Sequence, residues 1–272
     1  VEIRTEAPVR RFLVENGRVC GVRLESGEEI TAPVIAANTE PKRTLLEFLG
    51  EEHLPEPFVR DLRAFRQESA SLRINLALGG LPRFAALGGD GAGPEHAATI
   101  TFIEGKEHLD AAYRSARAGE PASPPIIEAV IPSVIDDTLT DAGGTHVMSL
   151  LCKYMPYDLA GGRHWDTEKP RVLEDILSWV EGFVPNLREI LVATQCLTPL
   201  DLEREFGLPR GDICHGRMEP DQLFSMRPHP DAAQYATPVP GLYLCGSGSH
   251  PGGGVTGAPG YNAARRILKD RR

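Results

Sequence analysis

The stretch GLYLCGSGSHPGGGVTGAPGYNAARRILKD, Gly241 to Asp270, decides how this chain is read, because it sets a strand, a glycine loop and a helix in series. Leu242 to Cys245 has the length and bulk of a buried strand. Gly246, Gly248, Gly252, Gly253 and Gly254 then remove side chains, so that backbone N–H groups can approach a ligand. From about Thr256 the pattern is helical, with Ala263, Ala264, Ile267 and Leu268 on one face and basic residues in the final turns, which suits the helix dipole. A strand feeding a helix N-terminus through glycines is a place to hold an anion or a polarised carbonyl. On spacing alone a second reading stands beside it, a tight turn with close helix–sheet packing. The loop is not a P-loop, since no Gly-Lys-Ser/Thr follows, and it lacks the residues of the dinucleotide fingerprint.

At the other end of the chain, Val9 to Glu15, Val19 to Glu25 and Ile30 to Ala37 are β-rich runs separated by the turn signals Asn16-Gly17 and Ser26-Gly27-Glu28. They predict a three-stranded meander. Thr39 is placed to cap a helix running through Leu45, Leu46 and Leu49 to Gly50, and Pro57 to Phe65 forms a second short helix. Ser71 to Leu78 alternates apolar Leu72, Ile74, Leu76 and Leu78 with Arg73, Asn75 and Ala77, which predicts a strand in a second sheet. Further strands are expected at 98–103, 126–131 and 146–154, helices at 106–117, 167–183 and 200–206, and loops at 79–94 and 119–125. These elements predict an α+β or α/β fold whose middle part is a mixed sheet with helices on one side.

The chain has 272 residues, 41% of them hydrophobic and 25% charged, enough for a substantial core in one large domain or two lobes. Its net charge of −9, with no basic run, argues against a nucleic-acid partner. Five scattered cysteines, Cys20, Cys152, Cys196, Cys214 and Cys245, read as reduced thiols, with Cys245 as a small buried strand residue. No metal site is expected, because His146, His164, His215 and His229 do not fall at zinc-ligand spacings. Asp136, Asp137 and Asp141, among threonines and glycines, read as capped turns. Tyr154, Tyr157 and Trp165 read as packing anchors ahead of pocket walls.

The segment LYLCGSGSHPGGGVTGAPGYNAAR resembles the C-terminal flavin-contacting motif of the phytoene desaturase-like branch of FAD-dependent oxidoreductases. Within that branch the chain is most similar to the family of pyridine nucleotide-disulphide oxidoreductase domain-containing protein 2. The likeness continues through Thr198 to Pro230, KYMPYDLAGG at Lys153 to Gly162, and Ala7 to Pro41. It implies the C-terminal portion of a two-lobe flavoenzyme. Residues 1–45 and 235–272 would complete an FAD-binding domain, and 46–234 would form the substrate-binding cap. The G-x-G-x-x-G grip on the FAD pyrophosphate, which the family carries in a preceding half, does not occur near Val1. By itself this stretch is therefore expected to be inactive and to hold little FAD.

The resemblance also assigns residues. Val9, Ala37 and Asn38 would meet the cofactor from the meander side, and Gly246, Ser247, Gly253, Gly254, Val255 and Thr256 from the loop. His250 would stand near the isoalloxazine ring, as hydrogen-bond donor, as acid or base, or simply as a pin for the loop. Many relatives carry Gly-Asp where this chain has Gly246-Ser247, so a charge-assisted bond becomes a neutral one, roughly half as strong. Arg227 would either meet the pyrophosphate or pair with a carboxylate.

For the intact protein the resemblance implies hydride transfer to FAD from a carbon–carbon bond of an apolar, isoprenoid-like substrate. Two alternatives remain at this point: amine oxidation, weakly supported by Tyr243 and Tyr261, and a non-catalytic binding or assembly role with a vestigial flavin site. Expected partners are the apolar substrate and the preceding half of the protein, with a peripheral membrane contact and a homo-oligomer also admitted. Cytoplasmic, organellar and peripheral-membrane locations are all compatible with the sequence.

Overall fold

The computed structural model describes residues 1–67, 71–87, 91–140 and 143–271. In chain order the strands are β1 (Val9–Glu15), β2 (Arg18–Leu24), β3 (Glu29–Thr31), β4 (Ile35–Ala37), β5 (Ser71–Leu78), β6 (Ile100–Phe102), β7 (Ile126–Val130), β8 (His146–Lys153), β9 (Leu191–Leu197) and β10 (Leu242–Leu244). The α-helices are α1 (Glu56–Ala64), α2 (Lys106–Arg117), α3 (Trp165–Glu181), α4 (Leu187–Ile190), α5 (Pro199–Phe206) and α6 (Ala258–Asp270). They fall into two compact units, Val1–Gln67 with Ile213–Arg272, and Glu68–Asp212.

In the first unit β1, β2 and β3 form the antiparallel meander, turning at Asn16 and Gly17, both at positive φ. The run 30–37 is not one strand. Pro33 has no N–H to donate, the ladder stops at Thr31, and β4 leaves the meander to pair in parallel with β10. Residues 43 to 50 form a π-helical segment whose approach is held by Glu40, the carboxylate of which accepts the backbone N–H groups of Lys42 and Arg43 at 2.8 Å, while the expected cap Thr39 pairs its hydroxyl with that of Thr44 at 2.6 Å. Leu45, Leu49, Phe58, Leu62 and Phe65 share one core with Phe12, Val19, Leu242 and Leu244. Each such side chain contributes about 1.5–3 kcal/mol by leaving water. That shared core carries the unit boundary to Gln67, not to the expected 45/46. The second boundary lies at Asp212, not 234/235, because the segment after it is tied to the glycine loop.

The second unit is a five-stranded sheet in the order β6-β7-β8-β5-β9. Every neighbouring pair is antiparallel, where the sequence predicts a mixed sheet. The reason is topological: β8 and β9 run the same way, but β5 lies between them. Leu72, Ile74, Leu76 and Leu78 of β5 are fully buried and pack with Trp165, Val172, Ile176 and Val180 of α3. On the opposite face the register aligns Val130, Ser149, Asn75 and Gln195 across four strands. Ser149 Oγ donates to Asn75 Oδ1 at 2.6 Å, and Asn75 Nδ2 donates to Gln195 Oε1 at 3.0 Å. α5 begins with a capping box, Thr198 and Asp201 exchanging hydrogen bonds of 2.9 and 3.1 Å.

Among the described residues no helix is long and apolar enough to cross a membrane.

Candidate functional site

The parallel pair β4–β10 delivers the glycine loop to α6. Leu242, Tyr243 and Leu244 lie opposite Ile35, Ala36 and Ala37, and the Cys245 N–H donates to the Ala37 carbonyl at 2.9 Å. The next residues have no room for side chains. A Cβ on Gly246 would stand 2.5 Å from Asn38 Oδ1 and 2.7 Å from the Asn38 carbonyl oxygen. One on Gly248 would stand 2.4 Å from Pro41 Cδ, and one on Gly253 would come within 3.1 Å of Cys214 Sγ. These glycines admit the protein's own backbone and side chains. Of the two readings of the spacing, close packing therefore describes Gly246 to Gly253.

The loop changes character at Gly254. Gly254 has φ +130° and only its neighbour Thr256 near it, Val255 is fully exposed at φ +55°, and Gly257 has φ +69° with open space around it. Among the described residues nothing accepts a hydrogen bond from the backbone N–H groups of Gly253, Gly254, Val255, Thr256 and Gly257. Thr256 Oγ1 accepts the Ala258 N–H at 3.2 Å, which caps the first turn of α6. A row of unengaged N–H groups at the positive end of a 13-residue helix is suited to negative charge on a bound group.

Behind the loop lies Arg227, completely buried. Its guanidinium donates to the carbonyl oxygens of Ser247 (3.0 and 2.8 Å), Cys214 (2.6 Å), Arg217 (3.1 Å) and Gly216 (3.2 Å). The sequence reading offers this residue a pyrophosphate or a carboxylate. It holds instead the segment 214–222 against the loop, through buried hydrogen bonds to backbone carbonyls. The sequence signal for this role is slight: an arginine within a Pro- and Gly-rich stretch that lacks periodicity.

His250 is half-buried. Its ring lies 5.7 Å from that of Phe224, its Nδ1 is buried without a hydrogen-bond partner, and its carbonyl accepts from Tyr235 Oη at 3.1 Å. Ser249 Oγ and His215 Nδ1 are likewise buried and unpaired. Burial, reinforced by the nearby Arg227 charge, holds the His215 imidazole below its usual pKa. His215 has no assigned role in the sequence reading. Burial pushes the Cys245 thiol up, so it stays protonated at neutral pH.

Of the residues assigned from the sequence, Ala37 and Asn38 at the end of β4 lie beside Leu244 to Gly246, and Gly246, Ser247, Gly253, Gly254, Val255 and Thr256 follow along the loop that leads to α6. Val9 stands on β1, in register with Leu24. Asp136 caps Thr138 through N–H and hydroxyl, as expected of a turn, while Asp141 lies outside the described residues. Trp165 is a buried anchor, its Nε1 donating to the Pro156 carbonyl at 3.0 Å. Tyr157 donates to Glu203, and burial together with that carboxylate pushes its phenol up to about 12. Among the described residues no group of three His, Cys, Asp or Glu side chains is placed to hold a metal ion.

Comparison with known proteins places this geometry in context. No family model matches the chain. It is 42% identical over 274 residues to the pyridine nucleotide-disulfide oxidoreductase domain-containing protein 2 of Rattus norvegicus, covering 98% of this chain and 47% of that protein. It is 26% identical to a limonene dehydrogenase component of Castellaniella defragrans, covering 99% of this chain and 51% of the relative. A lycopene-forming phytoene desaturase from Paracoccus is 25% identical over 93% of this chain and 47% of its own length. An oxidoreductase from Methanosarcina mazei shares the fold at a TM-score of 0.55 and 17% identity, over 96% of this chain and 48% of that one. The chain spans about half the length of the curated relatives it matches. By sequence this chain thus corresponds to about half of a protein resembling pyridine nucleotide-disulfide oxidoreductase domain-containing protein 2, with a weaker likeness to a phytoene desaturase.

Proposed function

We propose that the protein containing this stretch is an FAD-dependent oxidoreductase, and that the turn from Gly246 to Thr256 holds the flavin-ring and ribityl side of the cofactor. The observation that carries the reading is the run of unengaged N–H groups from Gly253 to Gly257 at the start of α6. When bound, FAD accepts a hydride while negative charge grows on the N1–C2=O2 edge of its ring. The N–H groups of Gly254, Val255 and Thr256 donate to that edge. Being fixed by the loop, they stabilise the charge without reorganising. Ser247 gives a neutral hydrogen bond to a ribityl hydroxyl. Ala37 and Asn38 bound the cofactor from β4, and Val9 meets it from β1. His250 positions the loop, its carbonyl held by Tyr235 and its ring resting on Phe224.

The unit Glu68–Asp212 supplies the substrate wall in this proposal. Ala77, Val130, Val147 and Leu151 share the sheet face opposite its core and surround the polar row Ser149, Asn75 and Gln195. That surface suits an apolar, isoprenoid-like molecule, in keeping with the limonene and phytoene in two relatives' names. The reaction is removal of hydride across a carbon–carbon bond. Such a substrate is taken from a membrane surface, so peripheral membrane contact belongs to the proposal. Amine oxidation draws less support: Tyr243 is buried, with its hydroxyl committed to Asp270 at 3.1 Å.

The test is flavin content. Full-length protein purified without added cofactor shows the visible absorption of bound flavin, and Gly254→Ala, which forces a side chain onto φ +130°, lowers it. A correctly folded full-length protein without flavin would sink the proposal.

A further inference from the structure

Along α6, the helix and the segment Gln234–Tyr235 line an open groove of about 640 Å3. Its polar lining is Gln234, Tyr235, Asn262, Arg265, Arg266 and Lys269. Among the described residues three cations and no carboxylate line this groove, in a chain whose net charge is −9. Asp270, just beyond the rim, takes two bonds from Arg266 Nε at 3.0 and 2.8 Å and offsets that charge. Arg265 and Lys269, one helical turn apart and both exposed, also line the groove, the Arg265 guanidinium lying 5.8 Å from the Tyr261 ring centroid. The negative end of the helix dipole amounts to about half a charge, so the groove stays positive.

We propose that this groove binds a phosphate-bearing anion. A guanidinium fork and an ammonium group beside the amides of Gln234 and Asn262 match tetrahedral, many-oxygen chemistry better than a single carboxylate. The volume suits a small ligand. The site is also tied to the loop: Asn262 Nδ2 donates to Tyr235 Oη at 2.9 Å, and Tyr235 Oη donates to the His250 carbonyl at 3.1 Å. An occupant that engages Asn262 therefore acts on the hydrogen bond that holds His250. The groove does not depend on whether the loop takes flavin.

The experiment is calorimetric titration of the full-length protein with inorganic pyrophosphate at low ionic strength, expected to show saturable binding to one site. The double variant R265E/K269E weakens it roughly tenfold or more, because two charge-assisted contacts are lost. Ala264→Glu, which adds the same sign of charge on this helix outside the groove lining, leaves the affinity within about twofold. Circular dichroism and melting of each variant are read alongside, and R265Q/K269Q, which reverses no charge, repeats the loss should the first variant misfold. Phosphatidylserine and phosphatidylcholine vesicles separate the sources of the phosphate. Sedimentation with the former alone, reversed by pyrophosphate, assigns a lipid headgroup, and no sedimentation assigns a free phosphate compound. Absence of saturable pyrophosphate binding, or binding that R265E/K269E leaves unchanged, overturns the site.

Discussion

Arg227 turns Nε and Nη2 toward one acceptor, the carbonyl oxygen of Ser247, at 3.0 and 2.8 Å. The same guanidinium reaches carbonyls of Cys214, Gly216 and Arg217, so a single planar fork joins the loop to a segment without regular structure. Arg227→Met removes those hydrogen bonds from the interior. It is expected to cost about 3 kcal/mol or more in urea unfolding. Arg227→Lys keeps the charge, loses the fork, and recovers only part of that loss. Equal stability of wild type and Arg227→Met would show that the carbonyls find other donors.

Two glycines of the loop are constrained for different reasons, and alanine separates them. Gly246→Ala drives a Cβ to 2.7 Å from the Asn38 carbonyl oxygen, a backbone atom that cannot swing away. The expected loss is about 1–3 kcal/mol, from overpacking. Gly257→Ala meets no neighbour but must hold φ +69°, which costs about 1 kcal/mol. Melting temperatures of the two variants, compared side by side, check the order.

Val255 is a β-branched residue at φ +55° with its side chain in solvent. Nothing in its packing repays that conformation. Val255→Gly relieves a left-handed penalty of about 1 kcal/mol and is expected to raise the melting temperature of the free protein. A lower melting temperature would mean that Val255 has a stabilising contact within the chain.

His215 gives the first unit a pH dependence. Its folded pKa is depressed by burial and by Arg227, so the unfolded chain binds the proton at higher pH than the folded one. Stability is thus fully present above the ordinary histidine pKa, about 6.5, and falls as pH drops from there toward the depressed value. His215→Asn, which tolerates the φ of +55° found at this position, removes that slope. Unfolding free energies measured across this range for both proteins provide the check.

Much of the architecture is legible in the sequence where a period or a turn signal is strong. The Asn16-Gly17 turn, the alternation from Ser71 to Leu78, and the helix from Lys106 to Arg117 appear as the residues predict. β9 escapes the sequence reading because it is an edge strand: Val192, Ala193, Thr194 and Gln195 are exposed, so no buried face imposes alternation. Pro33 is visible in the sequence, yet its effect, sending β4 to a different sheet from β3, depends on a partner about two hundred residues away. The site divides the same way. That glycines occupy Gly246 to Gly257 is plain from the sequence, but which of them are filled by Asn38, Pro41 and Cys214 and which are open is decided by long-range packing.

The β4–β10 pair sets the order in which this polypeptide can be completed. Ile35 to Ala37 leave the ribosome some two hundred residues before Leu242 to Leu244, whereas Glu68 to Asp212 is a contiguous segment that emerges as a whole. The inserted unit has its five strands while β4 still lacks its parallel neighbour β10. Closure of the first unit therefore waits for the last thirty residues of the chain, and a ribosome stalled before Gly241 would release an assembled sheet flanked by an unfinished one.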